Sequence, residues 1–207
     1  MKKNIIAVFG VLLLASQIFG APSKVFMLRE DGPLRVEDGK KGVKWAKTVA
    51  TGTELELVSP EPVVKDLVTT DKTYPNISFY KVKYKGELYY VQTSEAVAAD
   101  IIGVICSDAL LFLKDSLATF RNAILETGTI VAVEEKTSKN GIDYSKVSFF
   151  DTEDKIVRSR YVERSKVSES EKDVKAVMMI TAALANKNED LRNETLNNAK
   201  KINTSEF

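Results

Sequence analysis

Apolar and polar residues alternate along most of the chain, which predicts strands rather than helices. Residues 54–58 alternate polar and apolar up to Leu57, and a period of two is typical of a strand with one buried face. Residues 79–84 alternate in the same way, a Lys85-Gly86 turn follows, and residues 88–92 form a second run rich in tyrosine. Two such runs around a short glycine turn predict a β-hairpin.

The pattern occurs twice, which indicates an internal duplication. The tripeptide Thr-Gly-Thr at residues 51–53 recurs at residues 127–129, 76 positions later. Residues 81–84 are matched by residues 146–149, only 65 positions later, so the first copy carries eleven extra residues. We place these extra residues in a loop insertion at residues 59–77, because that stretch contains three prolines.

The end of the repeat sets the domain boundaries. Residues 91–93 are matched by residues 157–159, 66 positions later. Each copy then has roughly 65 to 75 residues and several short strands, which is the size of a small, partly open barrel. We therefore predict a mainly β fold with one small domain at residues 24–98 and a divergent second one at residues 101–165.

The hairpin of the first copy resembles that of the bacterial SH3 (SH3b) domain. In that family the hairpin has the pattern aromatic-x-Val-x-Tyr-x-Gly-x-x-Gly-Tyr-Val-x-Ser, and residues 80–94 are YKVKYKGELYYVQTS. Tyr80 stands in place of the family's tryptophan and Tyr89 in place of its second glycine, and the second copy lacks the hairpin glycine. The resemblance covers residues 24–165 and implies two SH3-like, partly open barrels. It also implies binding to cell-wall peptide or glycan, which is common among such domains in exported bacterial proteins.

Residues 170–203 have a helical period instead. Ser170 with Asp173 three positions later is a helix-start signal, and an apolar stripe at helical spacing follows it. This C-terminal segment either packs back on the second domain or docks a partner through its stripe. The candidate docking residues are Val174, Val177, Met178 and Leu184.

Residues 1–20 have the pattern of a secretory signal peptide. Lys2 and Lys3 precede an apolar run at residues 5–14, and small residues lead to a predicted cleavage site after Gly20. The alternative is an uncleaved anchor, but the apolar run is shorter than the ~20 residues that a spanning helix needs. We therefore predict a mature chain that is exported, periplasmic or secreted, and without an integral membrane span.

Composition narrows the classes of function. The chain has 30 Lys and Arg against 29 Asp and Glu, and this balance argues against nucleic acid as a partner. It has no histidine and one cysteine, so the commonest general base is missing and zinc sites of the Cys/His kind are excluded. Glu134 and Glu135 form the clearest carboxylate pair, but at a strand end we interpret them as solvated charges. We predict no catalytic residue, no metal site, no cofactor and no enzymatic activity.

Aromatic side chains are the candidate binding surface, because a ring offers a large contact area at low entropic cost. Trp45 is the only tryptophan and lies in a lysine-rich stretch, where it either faces a ligand or packs against the barrel. Alternate positions of a strand face the core, so at most about half of the hairpin tyrosines can face a ligand. The candidate ligand-binding residues are Trp45, Tyr80, Tyr84, Tyr89 and Tyr90.

Two hypotheses for the function follow. The first is an exported, non-enzymatic binding module of the bacterial envelope that contacts peptidoglycan or an envelope protein. The alternative is a structural or assembly protein that docks a partner through its C-terminal helix.

Overall fold

The computed structural model describes residues 22–39, 41–202 and 204. The predicted signal peptide at residues 1–20 lies outside these ranges. The described chain is mainly β with two helices near its C-terminus, as the sequence pattern predicts. Neither helix in the described ranges is long and apolar enough to cross a bilayer.

The first sheet contains eight strands. They are β1 (Lys24–Met27), β2 (Gly32–Asp38), β3 (Gly42–Val49), β4 (Glu54–Leu57), β5 (Val63–Val68), β6 (Thr73–Tyr84), β7 (Glu87–Gln92) and β8 (Ala96–Ala98). Their order is β5-β3-β2-β7-β6-β4-β1-β8. Because β5 also pairs with β6, the sheet curls until five of its strands form a hydrogen-bonded ring.

The second sheet repeats the order of the first. Its strands are β9 (Ile101–Ile105), β10 (Ala109–Phe112), β11 (Phe120–Leu125), β12 (Ile130–Lys139), β13 (Ile142–Asp151), β14 (Ile156–Glu163) and β15 (Val167–Ser168). Their order is β11-β10-β14-β13-β12-β9-β15. This order matches that of the first sheet strand for strand once β5 is left out, so the duplication seen in the sequence extends to the topology.

The Thr-Gly-Thr turns occupy equivalent places in the two sheets. The Gly52 amide donates to the Met27 carbonyl at 2.7 Å, and the Gly128 amide donates to the Ile105 carbonyl at 2.8 Å. Both glycines have positive φ, +80° and +84°, a conformation that residues with a Cβ rarely adopt. The turn therefore explains why glycine stands at this position in both copies.

The last strand of the repeat has a register different from the predicted one. The counterpart of Val91 is Val162, 71 positions later, and not Val157. Val91 and Val162 are both fully buried, each in the core of its own copy. The offset differs because the second hairpin is longer, with β13 continuing to Asp151 and a four-residue turn before Ile156.

The insertion at residues 59–77 forms a hairpin rather than the predicted loop. β5 pairs antiparallel with the first half of β6 and runs parallel to the start of β3, where Gly42 lies opposite Asp66. The hairpin closes over a small second core, which supplies the apolar burial that a loop would lack. The residues of this small core are Val43, Val63, Leu67, Ile77, Phe79 and Tyr90.

Two helices follow the second sheet. They are α1 (Glu171–Ala185), which begins directly after Ser170, and α2 (Glu189–Lys200). The Ser170 side chain makes no capping bond, and Asp173 instead accepts a hydrogen bond from the Ser168 hydroxyl at 2.6 Å. The apolar stripe of α1 packs against the second sheet of its own chain. The residues in this contact are Ile102, Val104, Ile130, Val174, Val177 and Met178.

The two copies contact each other directly. Phe26 of the first copy packs with Ala99 and with Ala132 of the second. The Val157 amide donates to the Ser94 carbonyl at 2.9 Å, so a main-chain bond also crosses the boundary.

Alanine at Gly52 is expected to lower the free energy of unfolding more than alanine at Gly128. The left-handed conformation costs alanine about 1–2 kcal/mol in either turn. At Gly52 the added Cβ would also lie 3.0 Å from the Met178 sulfur, whereas at Gly128 no described atom lies within 4 Å. Urea unfolding of the two variants measures the difference. Equal losses would contradict the contact between α1 and the first copy.

Candidate ligand-binding groove

An open groove of about 700 Å³ lies on the outer face of the β2–β3 hairpin. Its floor carries Arg35 of β2 opposite Trp45 of β3, and Pro33 opposite Thr48. Leu34, which lies between Pro33 and Arg35 in β2, points away from the groove and is fully buried in the main core of the first copy. Trp45 is 63% exposed, so its ring is available to a ligand.

The insertion supplies one wall of this groove. Leu67, Val68, Thr69 and Thr70, at the end of β5, line it opposite the β2–β3 hairpin. In the described part of the second sheet no strand corresponds to β5. The groove is therefore a feature that the insertion adds to the first copy.

Two arginines share one carboxylate beneath the groove. Arg35 donates to both carboxylate oxygens of Glu95, at 2.7 and 3.0 Å, and Arg29 donates to one of them. Only 6% of the Arg35 side chain and 5% of the Glu95 side chain are exposed, but 44% of Arg29 is. Two positive charges on one negative charge leave this ion triad with a net charge of +1 at the rim of the groove.

The second copy carries different residues at the positions of the triad. Arg35 of β2 lies opposite Tyr90 of β7, Phe112 of β10 lies opposite Tyr161 of β14 in the same way, and the carbonyls of Glu95 and Lys166 accept equivalent amide bonds. The counterparts of Arg35, Glu95 and Arg29 are Phe112, Lys166 and Ser107. The same topology thus forms without the triad. Since a buried ion pair often adds no more stability than apolar side chains would, the triad is a candidate for a role in function.

Sequence reasoning missed all three residues of the triad. Arg35 and Glu95 are 60 positions apart, and no local pattern joins them. The available signal was the repeat itself, which places the charged Arg35 of the first copy within the apolar run of residues 110–112 of the second.

The buried tyrosines of the hairpin lie outside the groove. Tyr90 is in the small core, and its hydroxyl donates to Glu37 at 2.7 Å. Tyr89 is in the main core of the first copy and donates to Glu87. Their rings are therefore engaged in packing.

The half-buried tyrosines also lie apart from Trp45. Tyr80 and Tyr84 pack against the main core of the first copy. Tyr80 borders a cleft between the two copies, and the Lys47 ammonium lies 5.2 Å from the ring centre of Tyr84. Of the five candidates, Trp45 is the one that lines the groove.

Tyr90 is expected to make the fold sensitive to alkaline pH. Burial raises the pKa of Tyr90 to about 12, and the hydrogen bond to the Glu37 carboxylate adds to the rise. The tyrosine of the unfolded chain ionises near pH 10. The unfolded state therefore loses the proton first, and stability falls between about pH 10 and 12. Urea unfolding across that range should show a steeper loss for the wild type than for Tyr90→Phe, and equal slopes would contradict this role.

Glu134 is not the solvated carboxylate that its position predicts. It accepts hydrogen bonds from Lys146 at 2.8 Å, from Ser159 at 2.7 Å and from Ser148. Burial raises the pKa of Glu134, but these hydrogen bonds outweigh burial and hold the pKa below its usual range. The group is thus ionised at neutral pH and has no proton to donate as a general acid.

The candidate docking residues of α1 divide into two groups. Val174, Val177 and Met178 pack within the chain, whereas Leu184 is 70% exposed. Ile180 and Leu191 are exposed as well. An apolar surface for a partner would therefore consist of Ile180, Leu184 and Leu191.

Comparison with known proteins leaves the family open. No family model and no curated protein sequence matches the chain. Among solved structures, the chain is similar to an NlpC/P60 endopeptidase from Photobacterium damselae subsp. piscicida, with 13% identity and a TM-score of 0.28. The alignment covers 77% of this chain and 36% of that one, so the chain spans about a third of that protein's length. A likeness at this level carries no conclusion about activity.

Proposed function

We propose that the chain is an exported, non-enzymatic binding module of the bacterial envelope, built from two SH3-like domains. Its ligand is cell-wall peptide or glycan, or a protein partner, and it binds in the groove beside Trp45. The observation that carries the proposal is the exposed Trp45 ring in a groove that also contains a partly exposed arginine, Arg29. The curled sheets and their shared strand order support the SH3-like architecture.

The groove combines two kinds of contact. An indole ring provides a flat apolar surface, which suits a peptide side chain or the face of a sugar ring. A guanidinium binds a carboxylate through two parallel N–H bonds, and Arg29 uses only one nitrogen on Glu95. The groove is therefore suited to a ligand with a carboxylate near an apolar group.

The alternative, a structural or assembly protein, is supported by a different surface. Ile180, Leu184 and Leu191 are exposed on the two helices. Leucine and isoleucine side chains of this kind would contact a partner through α1 and α2 and leave the groove unoccupied.

Trp45→Ala is expected to reduce binding to purified peptidoglycan sacculi at least about tenfold, because interface aromatics commonly contribute this much or more. Co-sedimentation of the full chain with sacculi measures it. Tyr74→Ala is the matched control, since Tyr74 is an exposed aromatic of the same sheet that does not line the groove.

The helical surface is tested by Leu184→Ser combined with Leu191→Ser. Unchanged sedimentation of this double variant, with loss in Trp45→Ala, supports the groove. Loss of sedimentation in the double variant, with unchanged sedimentation of Trp45→Ala, supports the alternative function. Wild-type chain that stays in the supernatant contradicts the cell wall as ligand.

A further inference from the structure

One side of strand β3 is paired over only part of its length. β5 runs parallel to β3, and its last paired residue, Val68, lies opposite Lys44. The chain then leaves β3 in a turn, where the Thr69 amide donates to the Lys72 carbonyl at 2.9 Å. No described strand pairs on this side with the rest of β3, residues 45–49, which we call the open edge.

Main-chain hydrogen-bonding groups point outward along the open edge. In an antiparallel ladder, pairs that exchange both bonds alternate with pairs whose N–H and C=O groups point away from each other. Thr48 lies opposite Pro33, which has no N–H to exchange, so this pair is of the second kind. The N–H and C=O of Thr48 therefore point away from β2, toward the side of β3 on which β5 lies.

The pairing with β5 gives the same orientation independently. The Asp66 amide donates to the Lys41 carbonyl at 2.9 Å, so alternate residues from Lys41 to Trp45 face β5. The register shift of the β2–β3 ladder then moves this alternation by one residue, which places Thr48 next in the series. The open edge thus continues the row of groups that β5 uses.

The open edge also borders the groove. Trp45 and Thr48 belong to the open edge and line the groove, and so do Val68 and Thr69 at the end of β5. A ligand in the groove can therefore place its main chain against Thr48 and a side chain against the exposed indole of Trp45.

The outward groups of the open edge match a polypeptide strand, because a strand offers an N–H and a C=O to its neighbour at every second residue. A sugar chain has no such repeat, and β5 shows that this side of β3 accepts a strand. Cell-wall peptides mix D- and L-residues, so they do not keep alternate side chains on one face as a strand of L-residues does. The open edge therefore favours a segment of a protein.

We infer that a protein partner binds the groove by adding an extended segment of L-residues as a strand to the open edge of β3, in line with β5. This inference rests on the proposed function of the groove and names a ligand class that it takes. Main-chain bonds at Thr48 supply affinity, and a side chain against Trp45 supplies selectivity. Because paired strands match residue for residue, a segment of about five residues covers the open edge.

The test begins with random peptides of about ten residues, long enough to cover the open edge, displayed and selected on the full-length chain. A synthetic copy of an enriched peptide is then N-methylated at one residue at a time, which removes one amide donor in each copy. Binding should weaken at least about tenfold at alternate residues of the bound segment and stay unchanged at the residues between them, since each unsatisfied group costs about that much.

Thr48→Pro removes the outward N–H of the chain itself and should weaken peptide binding at least about tenfold. Thr48→Ala is the matched control, because it changes the side chain and keeps the N–H, and its binding should be unchanged. Ile124→Pro places proline opposite Leu110, at the corresponding position of the second copy, and should also leave binding unchanged. Urea unfolding shows whether Thr48→Pro is folded, and the N-methyl series uses the wild type and decides whatever the stability of that variant.

Three results would overturn the inference. The first is an N-methyl series without a two-residue period. The second is equal peptide binding by Thr48→Ala and Thr48→Pro. The third is a wild-type dimer in sedimentation equilibrium that Thr48→Pro returns to monomers, because a second copy would then occupy the open edge.

Binding to sacculi separates this inference from the proposed function. Sedimentation that is lost in Trp45→Ala but kept in Thr48→Pro, together with any of these three results, would leave the groove as the site and remove the added strand. Wild-type chain that binds neither sacculi nor selected peptides contradicts both.

Discussion

Glu95→Ala is expected to lower the free energy of unfolding by about 3–5 kcal/mol, because it removes the carboxylate that two arginines share. Arg35 would remain buried, with the Pro33 carbonyl at 3.2 Å as its remaining hydrogen-bond acceptor among those described. Without the carboxylate between them, the positively charged guanidinium groups of Arg29 and Arg35 would also repel each other. Chemical denaturation at neutral pH measures the loss.

Arg35→Leu is the control for this prediction. An apolar side chain, the buried Phe112, stands at the same place in the second copy, and Glu95 would keep Arg29 as a partner. We expect Arg35→Leu to lower the free energy of unfolding by less than half as much as Glu95→Ala does. A larger loss in Arg35→Leu would show that the triad serves stability first and would weaken its assignment to ligand binding.

Phe79→Ala is expected to cost about 3–5 kcal/mol of stability, the usual range for deleting a buried phenylalanine ring. Phe79 is fully buried in the small core under the insertion hairpin, and the Arg35 guanidinium lies 5.6 Å from its ring centre. The substitution should therefore also loosen the groove wall at Leu67. We expect a lower denaturation midpoint and weaker binding to sacculi in the same variant.

Leu88→Ala is the matched control for Phe79→Ala. Leu88 belongs to the neighbouring strand β7 and is exposed, so we expect a change within about 0.5 kcal/mol and unaltered binding. Stability lost in Phe79→Ala without any loss of binding would contradict the role of the insertion as a wall of the site.

Local pattern was enough to predict the main hairpin of the first copy and the helix start. The alternation at residues 79–84 is β6, the Lys85-Gly86 turn leads into β7, and α1 begins directly after Ser170. These features depend on neighbouring residues, whose periodicity and turn chemistry are visible in the sequence.

Features that depend on distant residues could not be predicted in this way. The insertion contains prolines and lacks strict alternation, and β5 becomes a strand by pairing with β3 and with the first half of β6. The match of residues 91–93 to residues 157–159 followed local identity, whereas hairpin length sets the true offset. Neither strand β5 nor the register of the last strand of the repeat can be predicted without knowing which strand pairs with it.

In the candidate site, too, features set by neighbouring residues were predicted and features set by distant residues were not. Trp45 was identified as the single tryptophan in a polar stretch, and it is exposed in a groove. Alternation limited how many of the tyrosines could face a ligand, but it could not show that Tyr90 turns into a second core formed by the insertion. Arg29, Arg35 and Glu95 come together only through the folded sheet.

Tryptophan fluorescence of the full chain tests the central claim most directly. Trp45 is the only tryptophan, so its emission reports on the groove alone. Titration with soluble peptidoglycan fragments should change the emission in a saturable way, with the same half-point as binding measured by sedimentation. Binding by sedimentation with unchanged Trp45 emission would contradict the account, because the ligand would then occupy a different surface.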